Sequence, residues 1–336
     1  METEMITASD MRSGESGFTL IEVLVSIVVL LLVSATALDG IRNLSKNTRT
    51  VTNRTEMHAG VRNATELLQQ EVGQAGRISL PAGITVAAPI SSTDTQFQAS
   101  SVTGMWAGQY LDIDTGGDID CTDTLNAGTL GKCTETVQVK QINGNIVTIE
   151  TDDSISKGHT SFWWSHDNGA PITIGGAFAW GVVPKGVPNG SDDFLLKMFG
   201  DINGNGNMTY VEYWCDVAGG NLYRRETPYT SANKPGPSPN QVLLNNITKN
   251  PNNAPCFVYQ QPPAIFGQTF VTDVAITLTV QTATVDATTG LFQKETKALL
   301  NVSPRNVFNV WLLANQDILY RVQPMPPTVG ALLQVP

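Results

Sequence analysis

Charged residues make up only 15% of this 336-residue chain, histidine occurs three times, and the four cysteines (Cys121, Cys133, Cys215 and Cys256) never form a Cys-x-x-Cys pair. Each scarcity removes a class of function. With 20 Lys and Arg against 30 Asp and Glu, a net charge of −10 and no basic stripe, nothing is arranged to neutralise phosphates, so nucleic acid is not an expected partner. Without paired cysteines beside a histidine cluster, structural zinc has no ligand set. No Gly-x-Ser-x-Gly elbow, His-Glu-x-x-His helix, phosphate loop or dinucleotide fingerprint occurs, so catalysis is not expected. The acidic balance fits a solvated exported surface or cation binding and does not choose between them.

What is present divides the chain in two. Thirty Gly and eighteen Pro, with many Asn and Thr, favour turns and short strands over a helical bundle. Only the N-terminal part reads as helix. Phe18 to Leu38 is apolar, with one ionisable residue, Glu22, and no Gly or Pro. At about 1.5 Å per residue it spans about 30 Å, the hydrocarbon thickness of a bilayer. A secretory signal has a shorter apolar core with its cleavage site behind it. Here Gly17 stands in front, so the run reads as a retained transmembrane helix. No Pro follows until Pro81. Ile41, Leu44, Val51, His58, Val61, Ala64, Leu68, Val72 and Ala75 recur at spacings of three, four or seven, which predicts an amphipathic continuation over 39–79. Its lower half is expected to pack on its own head and on neighbouring helices.

Glu22 carries the most information, because a carboxylate at membrane depth is costly unless paired or neutralised. The stretch Gly17-Phe18-Thr19-Leu20-Ile21-Glu22 resembles the processing motif of type IV prepilins. That resemblance implies that a prepilin peptidase of the inner membrane cuts after Gly17 and methylates the new N-terminal Phe18. Glu22 would then face the terminal amine of a neighbouring major or minor pilin during assembly. The new cation at Phe18 can compensate the carboxylate in low dielectric. The implied organisation is an α+β pilin-like fold: leader 1–17, transmembrane part 18–38, amphipathic part 39–79 and a β-rich head over 80–336. As written the leader is acidic (Glu2, Glu4, Asp10 and Glu15 against Arg12), whereas a start at Met11 gives the usual short, Arg-bearing form; Met11 is the expected start. Arg42, Lys46, Arg49 and Arg54 would by charge alone keep the following side in the cytoplasm. The cysteines and the resemblance argue the reverse, so the expected placement is a single pass of the bacterial inner membrane, head in the periplasm, extracellular after assembly.

The head reads as strands separated by turns: Gln109–Asp114, Thr134–Ile142, Ile146–Thr151, Ser161–His166, Phe194–Phe199, Met208–Asp216, Leu222–Glu226, Val271–Val285 and Gln293–Val302. Asn143-Gly144 and Gly219-Gly220-Asn221 are tight-turn signals, and the Pro-rich tail from Gln323 is expected to be irregular. Tyr210-Val211-Glu212-Tyr213 leading to Asn221-Leu222-Tyr223-Arg224-Arg225 resembles a hairpin of PilW-type minor pilins. So does an alternating strand (Val274, Ile276, Leu278, Val280) followed by a second strand closing on Arg305-Asn306. The stretch from about 95 to 190 matches nothing in that group and is expected to be an inserted β subdomain.

Three clusters are candidate sites. Asp201 to Glu212 fits the calcium-loop pattern, with Asp201, Asn203, Asn205, Asn207, Thr209 and Glu212 as ligands and Gly206 at the sharp turn. The competing reading is an Asn-Gly hairpin that needs no Ca2+. Asp112, Asp114, Asp118, Asp120 and Asp123 read as a solvated acidic turn or a cation site, and His159 and His166 near Trp163 and Trp164 as core aromatics or a ligand site. An even cysteine count in an exported head reads as two disulfides. The pairing that closes the shortest loops is Cys121–Cys133 and Cys215–Cys256, against four reduced buried thiols. The resemblance points to a minor type IV pilin that takes part in pilus assembly and priming. Two alternatives stand beside it: a pseudopilin of a type II secretion system, and a pilus-displayed adhesin or binding module.

Overall fold

The computed structural model describes residues 17–114, 134–150, 161–234, 236 and 241–334. Helix α1, Leu20–Gln74, has 55 residues and runs about 80 Å. It ends where Gly76 takes a φ of +79° and the chain turns into the head. There the Gly76 N–H donates to the Phe199 carbonyl at 2.9 Å and the Asp201 N–H to the Arg77 carbonyl at 2.8 Å. The crossing is too tight for a side chain, since a Cβ on Gly181 would lie 2.2 Å from the Gly76 Cα.

Among the described residues the paired strands of the head are antiparallel apart from one two-residue pairing. Strands β1 (Gln96–Gln98), β2 (Tyr110–Asp114), β3 (Thr134–Asn143), β4 (Ile146–Ile149) and β5 (Ile172–Thr173) form a sheet in the order β1-β4-β3-β2-β5. Its alternating inward residues build a core of their own around Phe97, Leu111, Ile113, Val147 and Phe162. After β6 (Ala177–Phe178) come β7 (Leu195–Gly200), β8 (Thr209–Asp216), β9 (Asn221–Pro228) and β10 (Val242–Asn245), a four-stranded meander. A third sheet centres on β13 (Asp273–Gln281). It is flanked by β11 (Ile247–Thr248) and β12 (Phe257–Gln260) on one edge and β14 (Lys294–Val302) on the other. Helix α2 (Arg305–Ala314), β15 (Val322–Gln323, parallel to β6) and α3 (Pro327–Gln334) complete the chain.

The main core lies where α1 meets the second and third sheets. Met57, Val61, Ala64, Leu68 and Val72 form the buried face of α1, packed with Met198, Val211, Tyr213, Phe257, Ile276 and Leu278. Each large apolar side chain so buried contributes about 1.5–3 kcal/mol. The β13–β14 hairpin meets α1 at its lower end, where Asn53 donates to Thr284 at 2.6 Å and Arg54 donates to Gln293. Beyond it α1 carries no head.

Several expectations are corrected. Ile41 and Leu44 lie below the head and are exposed, Val51 is exposed although its neighbour Asn53 bonds Thr284, and Met57 takes the core position assigned to His58, whose ring stays exposed and pairs with Glu295. Ser161–His166 is not a strand: the Glu135 carboxylate accepts the Trp163 and Trp164 N–H groups at 2.7 and 3.2 Å, spending donors that a ladder would need. Arg305-Asn306 opens α2 instead of closing a strand. The tail is partly helical, with Val329, Leu332 and Leu333 of α3 buried against Phe199 and Tyr210; Pro327 at its first position has the φ a helix start requires.

Candidate processing and assembly site

Gly17 and Phe18 precede α1 as exposed, non-helical chain, Phe18 being 82% exposed. A Cβ on Gly17 would meet nothing within 4 Å. Among the described residues, packing makes no demand for glycine there. Thr19 caps α1 in a reciprocal box with Glu22. The Thr19 N–H and hydroxyl donate to Oε2 of Glu22 at 2.9 and 3.0 Å, and the Glu22 N–H donates back to the hydroxyl at 3.3 Å. The sequence suggested a bare carboxylate; within one chain it already has two donors and the positive end of the helix dipole.

From Leu20 to Leu38 no side chain of α1 is buried by the head, and the stretch is long and apolar enough to cross a membrane. The opposite end of α1 is fixed by an ion-pair network. Glu71 is buried and accepts from Arg224 Nη2 at 2.7 Å, Arg224 Nε at 2.9 Å and the Tyr213 hydroxyl at 2.5 Å. Arg224 also bonds Glu226 at 2.9 Å. Burial, with Glu71 beside it, pushes the Tyr213 hydroxyl well above its usual range. Glu71 escaped the sequence reading, although it follows Leu68 by three on the buried face, where a carboxylate needs a partner; Arg224, on the core side of β9, is that partner.

The loop after β7 brings together only part of the proposed calcium set. Asp201 is buried, and its carboxylate accepts the N–H groups of Asn205 at 3.0 Å and Gly206 at 3.2 Å, with Arg77 Nε 3.6 Å away. Asn205 accepts from the Asn207 N–H at 2.9 Å, and Asn203 turns outward to donate to Glu226 at 2.6 Å. Thr209 belongs to β8, opposite Gly200, and its buried hydroxyl makes no hydrogen bond among the described residues. Glu212 is opposite Lys197, three residues or about 10 Å further along the hairpin. Its carboxylate is bonded to Arg225 at 2.5 Å, Tyr210 at 2.6 Å and Lys234 at 2.9 Å. Burial works to raise the Glu212 pKa, yet Tyr210, Lys234 and Arg225 hold it below the ordinary carboxylate value. Glu212 therefore belongs to a buried charge cluster and stands apart from the loop mouth.

Cys215 and Cys256 are disulfide-bonded, tying the end of β8 to the residue before β12. Cys121, Cys133, Asp118, Asp120, Asp123 and His159 lie outside the described residues. Asp112 pairs with Arg321 at 2.6 Å, and His166 is buried between Glu135 and the Asp114 carbonyl.

No curated protein matches the chain. Among solved structures, the Gp54 tailspike of Acinetobacter baumannii bacteriophage AP22, in complex with A. baumannii capsular saccharide, is similar at 16% identity over 27% of this chain. The chain spans 13% of that tailspike, and the TM-score is 0.21, too low to bear on the fold. Residues 12–38 match the prokaryotic N-terminal methylation motif. That motif implies processing by prepilin peptidase and incorporation into a pilus, and it points to a structural chain more than a catalytic one. Taken with an exposed Gly17–Phe18 bond at the head of an uncovered apolar helix, it supports a type IV pilin-like or pseudopilin protein.

Proposed function

We propose that this chain is a minor type IV pilin, cut and methylated at Gly17–Phe18 and taking part in pilus assembly and priming through α1. The observation that carries the reading is the division of α1. Its outer half begins at the processing motif and is covered by none of the described residues of the head, while its inner half is locked to the head by Val61, Leu68, Val72 and the Glu71–Arg224 pair. A subunit of this form buries the outer half against other pilin helices and displays the head. Cleavage places a free amine beside the Thr19–Glu22 cap, and an amine from a neighbouring subunit is the partner for Glu22. A five-stranded sheet added to the pilin-type head makes a bulky subunit, which suits low copy number better than a regular shaft. The same residues would serve a pseudopilin of a type II secretion system.

The test is the mass of the membrane form in a strain with active prepilin peptidase. The expected product begins at N-methylated Phe18, and Gly17→Leu retains the leader. Glu22→Ala is cut normally and enters filaments poorly. A wild-type product with the Gly17–Phe18 bond intact overturns the reading.

A further inference from the structure

Phe266 is held where folding alone would not put it. Ile265 and Gln268 exchange backbone hydrogen bonds at 3.0 and 2.8 Å around a two-residue turn. Both turn residues have positive φ, 48° at Phe266 and 77° at Gly267. Turns of this hand select Asn, Asp or Gly at the first position, because the Cβ of a bulky side chain there crowds the neighbouring carbonyl. Among the described residues the other non-glycine positions with positive φ are Asn or Asp; Phe266 is the exception. Nor does hydrophobic burial compensate, since the residue is 63% exposed. A side chain that costs backbone strain and returns little packing points to a role outside the fold.

What Phe266 borders supplies the role. It lines a cavity of about 400 Å³ together with Tyr110, Gln138, Trp180, Gln268 and Phe270. That volume lies at the lower end of small-molecule sites, about 300–1,000 Å³. No lining residue carries a formal charge, so phosphates, carboxylates and cations find no counter-ion. Trp180 adds a second aromatic face to the lining. The site thus offers aromatic faces and neutral amides without formal charge. A pyranose ring presents the matching chemistry, a C–H face for stacking and hydroxyl oxygens to accept. An extended peptide would instead dock by main-chain pairing along a strand edge or across a row of aromatic ridges.

We propose that this cavity binds one or two rings of a neutral saccharide, with Phe266 and Trp180 as stacking walls. The inference concerns the head alone and does not depend on filament membership. The experiment uses the full chain, purified in a detergent without a sugar headgroup. It is applied to immobilised neutral oligosaccharides of glucose, galactose and N-acetylhexosamines, beside sialylated and sulfated glycans and proline-rich peptides. Binding is expected on neutral glycans. Phe266→Asn, which suits the turn, should weaken it about tenfold while leaving the melting temperature equal or higher. Trp180→Leu, removing the second aromatic face, should weaken it as well; it decides the matter if the Asn variant does not fold. No binding to any neutral glycan, binding confined to the peptides or charged glycans, or affinity unmoved by both substitutions would each overturn the proposal.

Discussion

Two buried carboxylates do different work in this head, and their surroundings account for it. Glu71 joins helix to sheet, answering Arg224 and Tyr213. Glu212 sits on the far face of the same sheet, one carboxylate among Arg225, Lys234 and Lys197, the last at 4.0 Å. Burial pushes the Lys197 ammonium below its ordinary value, with the neighbouring cations adding to the effect and Glu212 opposing it. Because the folded Glu212 pKa lies below its reference of 4.5, the stability it contributes is complete above about pH 4.5 and is lost as pH falls through the lower folded value. Glu212→Gln leaves buried cations uncompensated and should cost about 3 kcal/mol or more at pH 7. Thermal melts across pH 3 to 7 should show the gap from wild type narrowing in acid. A gap equally wide at both ends would remove the ionised carboxylate from the account.

At the scale of elements, the 201–207 loop joins β7 to β8 with bonds of its own. The Asp201 carboxylate is occupied by two backbone N–H groups, and Glu212 is committed elsewhere on β8. The pattern that resembles a calcium loop is therefore accounted for by turn chemistry, in which Asp and Asn bond the backbone two to five residues on. Melting of the chain should be the same in millimolar calcium and in chelator. A calcium-dependent rise that Asp201→Ala abolishes would restore the ion. Elements differed in how openly they declared themselves. β3, β8 and β13 follow their alternating or apolar runs within a few residues, because one or both faces are buried; β14 follows its run through pairing with β13, with Val302 its buried side chain among those described. β12 and α2 were hidden. Arg305-Asn-Val-Phe-Asn-Val-Trp is rich in strand-forming side chains, and Pro304 gives no side-chain cap; packing of Val307, Val310 and Ala314 beside β6 makes the segment helical.

Over the whole molecule, the disulfide ties two sheets that share one core. Cys215 is the penultimate residue of β8 and Cys256 precedes β12, at a sequence separation of 41. Closing a loop of that length removes about 4 kcal/mol of denatured-state freedom. The Cys215→Ser, Cys256→Ser double variant should melt earlier in denaturant by that order. It should also abolish any extra sensitivity of this contact to reductant. Loss below about 1 kcal/mol would mean that packing around Phe257 and Tyr213 holds the sheets unaided.

Local chemistry was enough to define the N-terminal quarter: an uninterrupted apolar run, a carboxylate four residues after Phe18, a glycine before it, and no proline until Pro81 specify a long helix with a processing motif whatever the head does. Short-range alternation likewise marked most strands. Partnerships across the chain were decided only in three dimensions. Glu71 meets Arg224 across 153 residues of sequence, Glu212 turns to Lys234 instead of Asp201, and Phe266 comes to rest beside Tyr110 and Trp180. Periodicity follows from neighbours three or two residues apart, whereas a buried charge or an exposed aromatic acquires meaning from whatever the fold brings within hydrogen-bonding or stacking distance.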